Sequence, residues 1–246
     1  SCGKIVFASS FAMFAAGRAF EQIRNSICYP NLNVKIGATH AGISVGEDGA
    51  THQCLEDIGI MRTIPNMIII NPADDVEARA AVEAAVKHNG PVYLRFGRLG
   101  VPVIFDEDTY KFEIGKGIQL KDGKDVTIIA TGLMVEKAIT AAQMLEEKGI
   151  DARVINIHTI KPIDRDIIEK AAKETGAVVT CEEHNIIGGL GSAVAEVIAE
   201  THPAALERVG VCDKFGKSGE PNALLEEYGL TAENIAEKAM KAIKRK

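Results

Sequence analysis

The stretch NMIIINPADDVEARAAVEAAVKHNGPVYLRF, residues 66–96, decides the fold class. Its two ends, NMIII and VYLRF, are short apolar runs rich in β-branched and aliphatic residues, the composition of strands buried on both faces of a parallel sheet. Between them Asp74 and Glu77 form an Asp-x-x-Glu start resembling a capping box, an alanine-rich run follows, and Gly90 lies just past its end. Strand, helix and strand follow one another. Upstream, KIVFA (4–8) and NVKIGA (33–38) are runs of the same kind, separated by segments long enough for helices. All four are expected to be buried strands of one parallel sheet.

Beyond Arg98 the pattern lapses into charges, glycines and turn residues with no helical period, so 104–124 reads as a linker. A second alternation begins at DVTIIAT and continues through a helix from about Val135 to Lys148, ARVINI, a helix opening near Asp164, AVVTCEE, a helix over 190–201, ERVGV and a final helix after Thr231. The expected fold is two tandem three-layer α/β domains with mostly parallel sheets, at 1–103 and 125–246.

With 246 residues, 46% of them apolar, the chain can bury a substantial core. A net charge of −6, with no basic block besides the terminal KAIKRK, argues against a nucleic-acid partner and against an anionic membrane surface. No apolar run approaches the roughly 20 residues of a membrane span. Five scattered cysteines without a Cys-x-x-Cys pair read as reduced thiols of a cytoplasmic protein. The start, SCGKIVFASS, lacks an initiator methionine and reaches a strand almost at once, as expected of a fragment.

The stretch that bears on chemistry is THAGISVGEDGATHQ, 39–53, directly after a predicted strand. Ligands of open parallel sheets collect beyond the carboxyl ends of strands, where His40 would emerge. Glycines 42, 46 and 49 permit turns that would bring Glu47, Asp48 and His52 near it. Imidazoles donate to hydroxyl or phosphate oxygens and carboxylates accept from sugar hydroxyls, which suggests polyol or phosphate handling. A solvated loop whose histidines cap neighbouring backbone remains open, while the spacing of His40 and His52 matches no standard zinc site. In EEHNIIGGLG, His184 and the glycines could form an anion site at a helix N-terminus, or His184 could be a buried residue capping a packed turn.

SSFAMFAAGRAFEQIRNSI, THAGISVGEDGATHQCLEDIGIMRTIPNM and LRFGR, followed by VINIHTIKPID, EEHNIIGGLGSAVAE and GKSGEPNALLEEYGL, resemble in order the signatures of the transketolase family. These are thiamine-diphosphate enzymes that move two-carbon ketol units between sugar phosphates. The chain resembles their carboxy-terminal half, as a split subunit or a fragment, more than deoxyxylulose-phosphate synthase, whose loop lacks the glutamate before the aspartate.

The resemblance implies that His40 and Arg98 address the substrate phosphate, that Asp48 and His52 face its hydroxyls and are the catalytic pair, and that Phe11 and Phe14 pack on the aminopyrimidine. Without it, Phe11 and Phe14 are two apolar residues three apart on an amphipathic helix, and Arg98 a surface ion-pair residue. Gly17 stands where relatives can carry a third aromatic. The family's catalytic glutamate would lie upstream of SSF, and its Gly-Asp-Gly and asparagine set for Mg²⁺ and the diphosphate is not in this sequence. Mg²⁺ is therefore expected on an amino-terminal partner half. The chain alone should be inactive, with a role in pentose phosphate metabolism once joined to that partner, and a homodimer is expected. Rival readings are the beta subunit of a 2-oxo acid dehydrogenase, a deoxyxylulose-phosphate synthase-like enzyme, and a non-catalytic assembly module.

Overall fold

The computed structural model describes residues 2–246. The first half supplies β1 (Val6–Phe11), β2 (Val34–Thr39), β3 (Ile68–Ile70) and β4 (Val92–Arg95); the second supplies β5 (Ile118–Lys121), β6 (Val126–Ala130), β7 (Ala152–Asn156), β8 (Thr159–Lys161), β9 (Ala177–Asn185) and β10 (Ala205–Val211). They form two five-stranded sheets, β1-β2-β4-β3-β8 and β10-β9-β6-β7-β5. Each is parallel except for one antiparallel edge strand, β8 on β3 and β5 on β7.

Helices cover both faces of each sheet except at the edge strand β1, because alternate strand residues are apolar on either side. Ile36, Ala38, Ile69 and Tyr93 pack toward a run of helical turns and α2 (Asp57–Arg62), whereas Ile70, Val92 and Leu94 pack toward α3 (Asp75–Lys87). The run consists of π-helical Met13–Arg18, a short α1 (Phe20–Gln22) and π-helical Ile23–Cys28. The second sheet lies between α4 (Met134–Glu146) with α8 (Ala232–Ile243) on one face and α5 (Arg165–Thr175) with α6 (Leu190–Glu200) on the other. A short α7 (Pro221–Glu227) packs against the loop that leaves β2. Each fully buried Ile or Leu on these faces contributes roughly 1.5–3 kcal/mol.

The α3 start has the expected side-chain cap. Asp74 Oδ1 accepts the Glu77 N–H at 2.8 Å, and Glu77 Oε2 accepts the Ala73 N–H at 2.6 Å, one residue before the partner a capping box would use. Asp74 Oδ2 also accepts the N–H groups of Ile104 and Phe105, and Glu77 Oε1 accepts from the Tyr110 hydroxyl and the Asn156 amide. The segment read as linker is therefore fastened along α3, and its last part is the strand β5.

Two further expectations differ from the structure. β1 is not a buried strand: it lies at the sheet edge, and Val6 and Phe7 are each 44% exposed, since its outer edge and both faces receive little cover from residues 2–246. The first sheet also takes its last strand, β8, from the second half of the chain.

Candidate active site

The parallel strands β1, β2 and β4 end together, and the sequence-predicted residues lie just beyond them. Phe11 closes β1 and pairs with Thr39, the last residue of β2. Phe14 sits in the following π-helical turn, so the two rings belong to a strand end and a helical turn rather than to one helix face. Their planes differ by 11° with centroids 6.0 Å apart. The His40 ring lies flat on Phe11 at 4.0 Å, and His52 meets both rings edge-on, at 6.1 Å from Phe11 and 5.3 Å from Phe14. Arg18, not singled out in the sequence, stands 4.5 Å above the Phe14 ring. Beside this group a depression of about 270 Å³ is walled by Phe14, Ala15, Ile23, Ile27 and Ile36.

The two imidazoles are held differently. His52 Nδ1 bonds the Thr51 hydroxyl at 2.9 Å. His40 adopts φ +56°, an uncommon value for a residue with a side chain, and its Nδ1 is buried with no partner among the described residues. Leaving a buried imidazole nitrogen unpaired costs about 1–3 kcal/mol, so the atom is suited to receive a group that arrives with a ligand.

The 42–49 loop turns where its glycines allow: Gly42, Gly46 and Gly49 have φ of +89°, +81° and +74°. At Gly46 and Gly49 it presses on the second half of the chain, where a Cβ on Gly46 would fall 2.9 Å from Pro221 Cγ. Gln53 ties the loop down by donating to the carbonyls of Ile43, Gly46 and Lys217, and the Ser218 hydroxyl donates to the Glu47 carbonyl. Asp48 is exposed at the end of this turn. Glu47 does not turn toward the histidines; it pairs with Arg98 at 2.9 Å. Its own backbone N–H and then Arg98 hold its carboxyl below the ordinary value. Arg98 uses the same Nη1 for the Val45 carbonyl, and the side chain is 41% exposed. Thus Phe11, Phe14, His40 and His52 form one cluster, while Asp48 and Arg98 stand on the loop and strand end around it.

Under the loop lies a buried charged network that the sequence reading missed. Asp57 Oδ2 accepts from Tyr93 Oη at 2.9 Å and from Arg95 Nε at 2.8 Å, and Arg95 Nη2 donates to the Glu183 carbonyl at 2.9 Å. Burial lowers the Arg95 pKa but the Asp57 carboxylate more than offsets it, so the guanidinium stays charged. The available signal was an arginine in the middle of the apolar run VYLRF. A cavity of about 280 Å³ between the two halves, at the ends of β3 and β4, reaches Arg95, Phe96, Leu133 and Glu183.

The GGLG segment is not an open anion site. Glu182 fills it, its carboxylate accepting the N–H groups of Leu190 and Gly191 at 2.6 and 2.7 Å. His184 is fully buried, with Nδ1 on the Asn185 carbonyl and Nε2 accepting from the Gly59 N–H, so it caps a packed turn. Among the described residues no group of three or more His, Cys, Asp or Glu is arranged to hold a metal ion, and no helix is long and apolar enough to cross a membrane.

Family models for the transketolase pyrimidine-binding domain and the transketolase C-terminal domain match residues 1–103 and 115–235. A protein of Methanocaldococcus jannaschii described as a transketolase C-terminal section is 53% identical over 99% of this chain and 77% of its own length. The 6-deoxy-6-sulfo-D-fructose transketolase subunit SqwH of a Clostridium species is 45% identical over 99% of this chain and 76% of its own. A split-gene transketolase solved as an inactive β4 tetramer superposes with a TM-score of 0.93 at 57% identity, over 98% of this chain and 77% of that one. Matched along nearly its whole length, the chain belongs to the transketolase family and corresponds to the family's carboxy-terminal half, a pyrimidine-binding domain followed by the transketolase C-terminal domain.

Proposed function

We propose that this chain is the carboxy-terminal component of a thiamine-diphosphate-dependent transketolase, transferring two-carbon ketol units between sugar phosphates in the cytoplasm. It is incomplete without an amino-terminal partner half that carries the Mg²⁺ and diphosphate site. The observation that carries the reading is the Phe11–Phe14–His40–His52 cluster at the carboxyl edge of the sheet, with its unpaired, buried His40 Nδ1.

These residues fit the pyrimidine side of the cofactor. Phe14 borders the apolar depression, and offset stacking on such a face is worth about 0.5–1.5 kcal/mol beyond burial. The Mg²⁺ and the diphosphate it binds are assigned to the partner half, where hard oxygen ligands would hold them. Thiamine diphosphate supplies the electron sink for breaking the carbon–carbon bond beside a ketose carbonyl. This chain orients the sugar. Arg98, swinging from Glu47, offers a guanidinium fork to the phosphate, and His40 joins it. Asp48 accepts from a sugar hydroxyl, and His52 exchanges protons with the hydroxyls near the reacting carbons. SqwH, a relative, is named for a sulfonated ketose, so an anionic tail opposite the keto end is the feature the arginine would read in either sugar.

The test is ketol transfer by the chain joined to an amino-terminal half of the family, with phosphorylated and free ketoses compared. Wild type is active only when joined. Arg98→Ala loses about ten- to a hundredfold in kcat/KM for phosphorylated donors, the equivalent of one charge-assisted contact, and much less for free sugars. Equal losses for both overturn the phosphate role; no transfer by any pairing overturns the activity.

A further inference from the structure

We propose that Glu183, contributed by the second half of the chain, is a positioning residue for the substrate-facing loop, fixing the backbone at Gly42–Ser44 and through it the imidazole of His40.

Glu183 belongs to β9 in the second sheet, yet its Oε1 accepts the Ser44 N–H at 2.7 Å, across 139 residues of sequence. The carboxylate is pressed against the Gly42 Cα. A Cβ at that position would come within 2.2 Å of Glu183 Cδ and 2.3 and 2.4 Å of its two oxygens, and Gly42 already has φ +89°. The loop therefore accepts no side chain at the point where it crosses the carboxylate.

The chain leaving β2 is anchored at three successive places. Ala41 N–H donates to the Phe96 carbonyl at 3.1 Å, Gly42 N–H to the Cys54 carbonyl at 2.9 Å, and Ser44 N–H to Glu183. The first two anchors come from the same domain as the loop; the third comes from the other. His40, one residue before the first anchor, is in a left-handed conformation, which persists only where surroundings over-determine it. Removing the third anchor frees the turn to relax, and the His40 ring need no longer lie flat on Phe11.

Glu183 is itself held in place. It is buried, its own carbonyl accepts from Arg95, and the Arg95 charge opposes the rise in carboxyl pKa that burial causes. A carboxylate so fixed is a rigid acceptor, which is what a positioning group requires. The C-terminal domain thus reaches the start of the loop, beside His40, through the Glu183 side chain, as it reaches the far end of the loop through Ser218 and Pro221. The catalytic part of the proposal rests on the function proposed above; the structural part does not.

The test uses Glu183→Gln, which keeps an acceptor for Ser44, and Glu183→Met, which keeps the volume and removes it. In the chain alone, the His40 ring-proton resonances, assigned by their loss in His40→Asn, are shifted upfield by the Phe11 ring. Glu183→Met should move them toward the position of an unstacked histidine, and Glu183→Gln should leave them. In the joined enzyme Glu183→Met should raise KM for the phosphorylated donor about tenfold, as expected for one lost hydrogen bond, with rescue by Glu183→Gln. A folded Glu183→Met chain with His40 resonances and KM unchanged overturns the proposal, as does failure of both variants to fold, which would mark Glu183 as a general structural residue. If the resonances respond but the joined wild type transfers no ketol group, the functional reading falls and the positioning stands.

Discussion

Replacing Asp57 with alanine would leave the Arg95 guanidinium, only 2% exposed, without the carboxylate 2.8 Å from its Nε. Removing one partner of a buried ion pair typically costs 3–5 kcal/mol, because the survivor stays desolvated and unpaired. Tyr93 would lose its acceptor as well, a further penalty of about 1–3 kcal/mol that overlaps the first. A loss of about 4 kcal/mol is expected, a large share of the 5–15 kcal/mol that stabilises a typical domain. Asp57→Asn should cost about half as much, because one amide oxygen can still accept from both Tyr93 and Arg95 while the charge is gone. Asp57→Leu combined with Arg95→Met should recover most of the loss, since well-packed apolar replacements of buried pairs are often neutral. The assay is urea unfolding followed by far-UV circular dichroism and by tyrosine fluorescence, the chain having no tryptophan and four tyrosines. A double-mutant cycle would give the coupling energy, expected above about 2 kcal/mol. A cost below about 1 kcal/mol for Asp57→Ala, or strict additivity in the cycle, would refute the view that this pair fastens α2 to β4 and β4 to Glu183.

Three further outcomes are expected. Burial raises the Glu77 carboxyl from its ordinary 4.5 to about 7, so the folded chain binds an extra proton between those values. The Glu77 contribution to stability is then fully present below about pH 4.5 and is lost as pH rises through 7, by at most about 3 kcal/mol; wild type but not Glu77→Gln should show this fall in denaturation curves at pH 5 and 8. Lys161 donates to the carbonyls of Arg62 and Ile64 at 2.9 and 2.6 Å, which caps the end of α2 from the second half; Lys161→Met should cost about 1–3 kcal/mol in thermal unfolding, and an unchanged midpoint would remove that role. The exposed apolar β1 should drive self-association, most simply as a two-fold dimer, which a monodisperse monomer in sedimentation at working concentration would contradict.

The parts of this structure legible in the sequence are those whose cause is local. Residues 66–96 fold as their own spacing dictates, and the φ values of Gly42, Gly46 and Gly49 are the turns their glycines permit. What was illegible depends on distant partners. Nothing near Thr159–Lys161 reveals that this short strand will complete the other sheet, and the Glu183–Ser44 contact spans 139 residues. The two readings left open for EEHNIIGGLG were decided by a local partner: the carboxylate of Glu182, eight residues before Leu190 and within the same stretch, takes up the N–H groups an anion would need. The exposure of β1 escaped notice because composition alone does not tell an edge strand from a central one.

The strand β8 has a consequence for how such a chain is made. The β3 edge of the first sheet receives its last partner only from Thr159–Lys161, so during synthesis it stays open until the second half has begun to emerge. An open strand edge invites pairing with a neighbouring nascent chain. A polypeptide ending after the pyrimidine-binding portion would carry that edge permanently. The two domains share a seam that neither can close alone, and a gene fission between them would yield a first product needing either a covering partner or a chaperone.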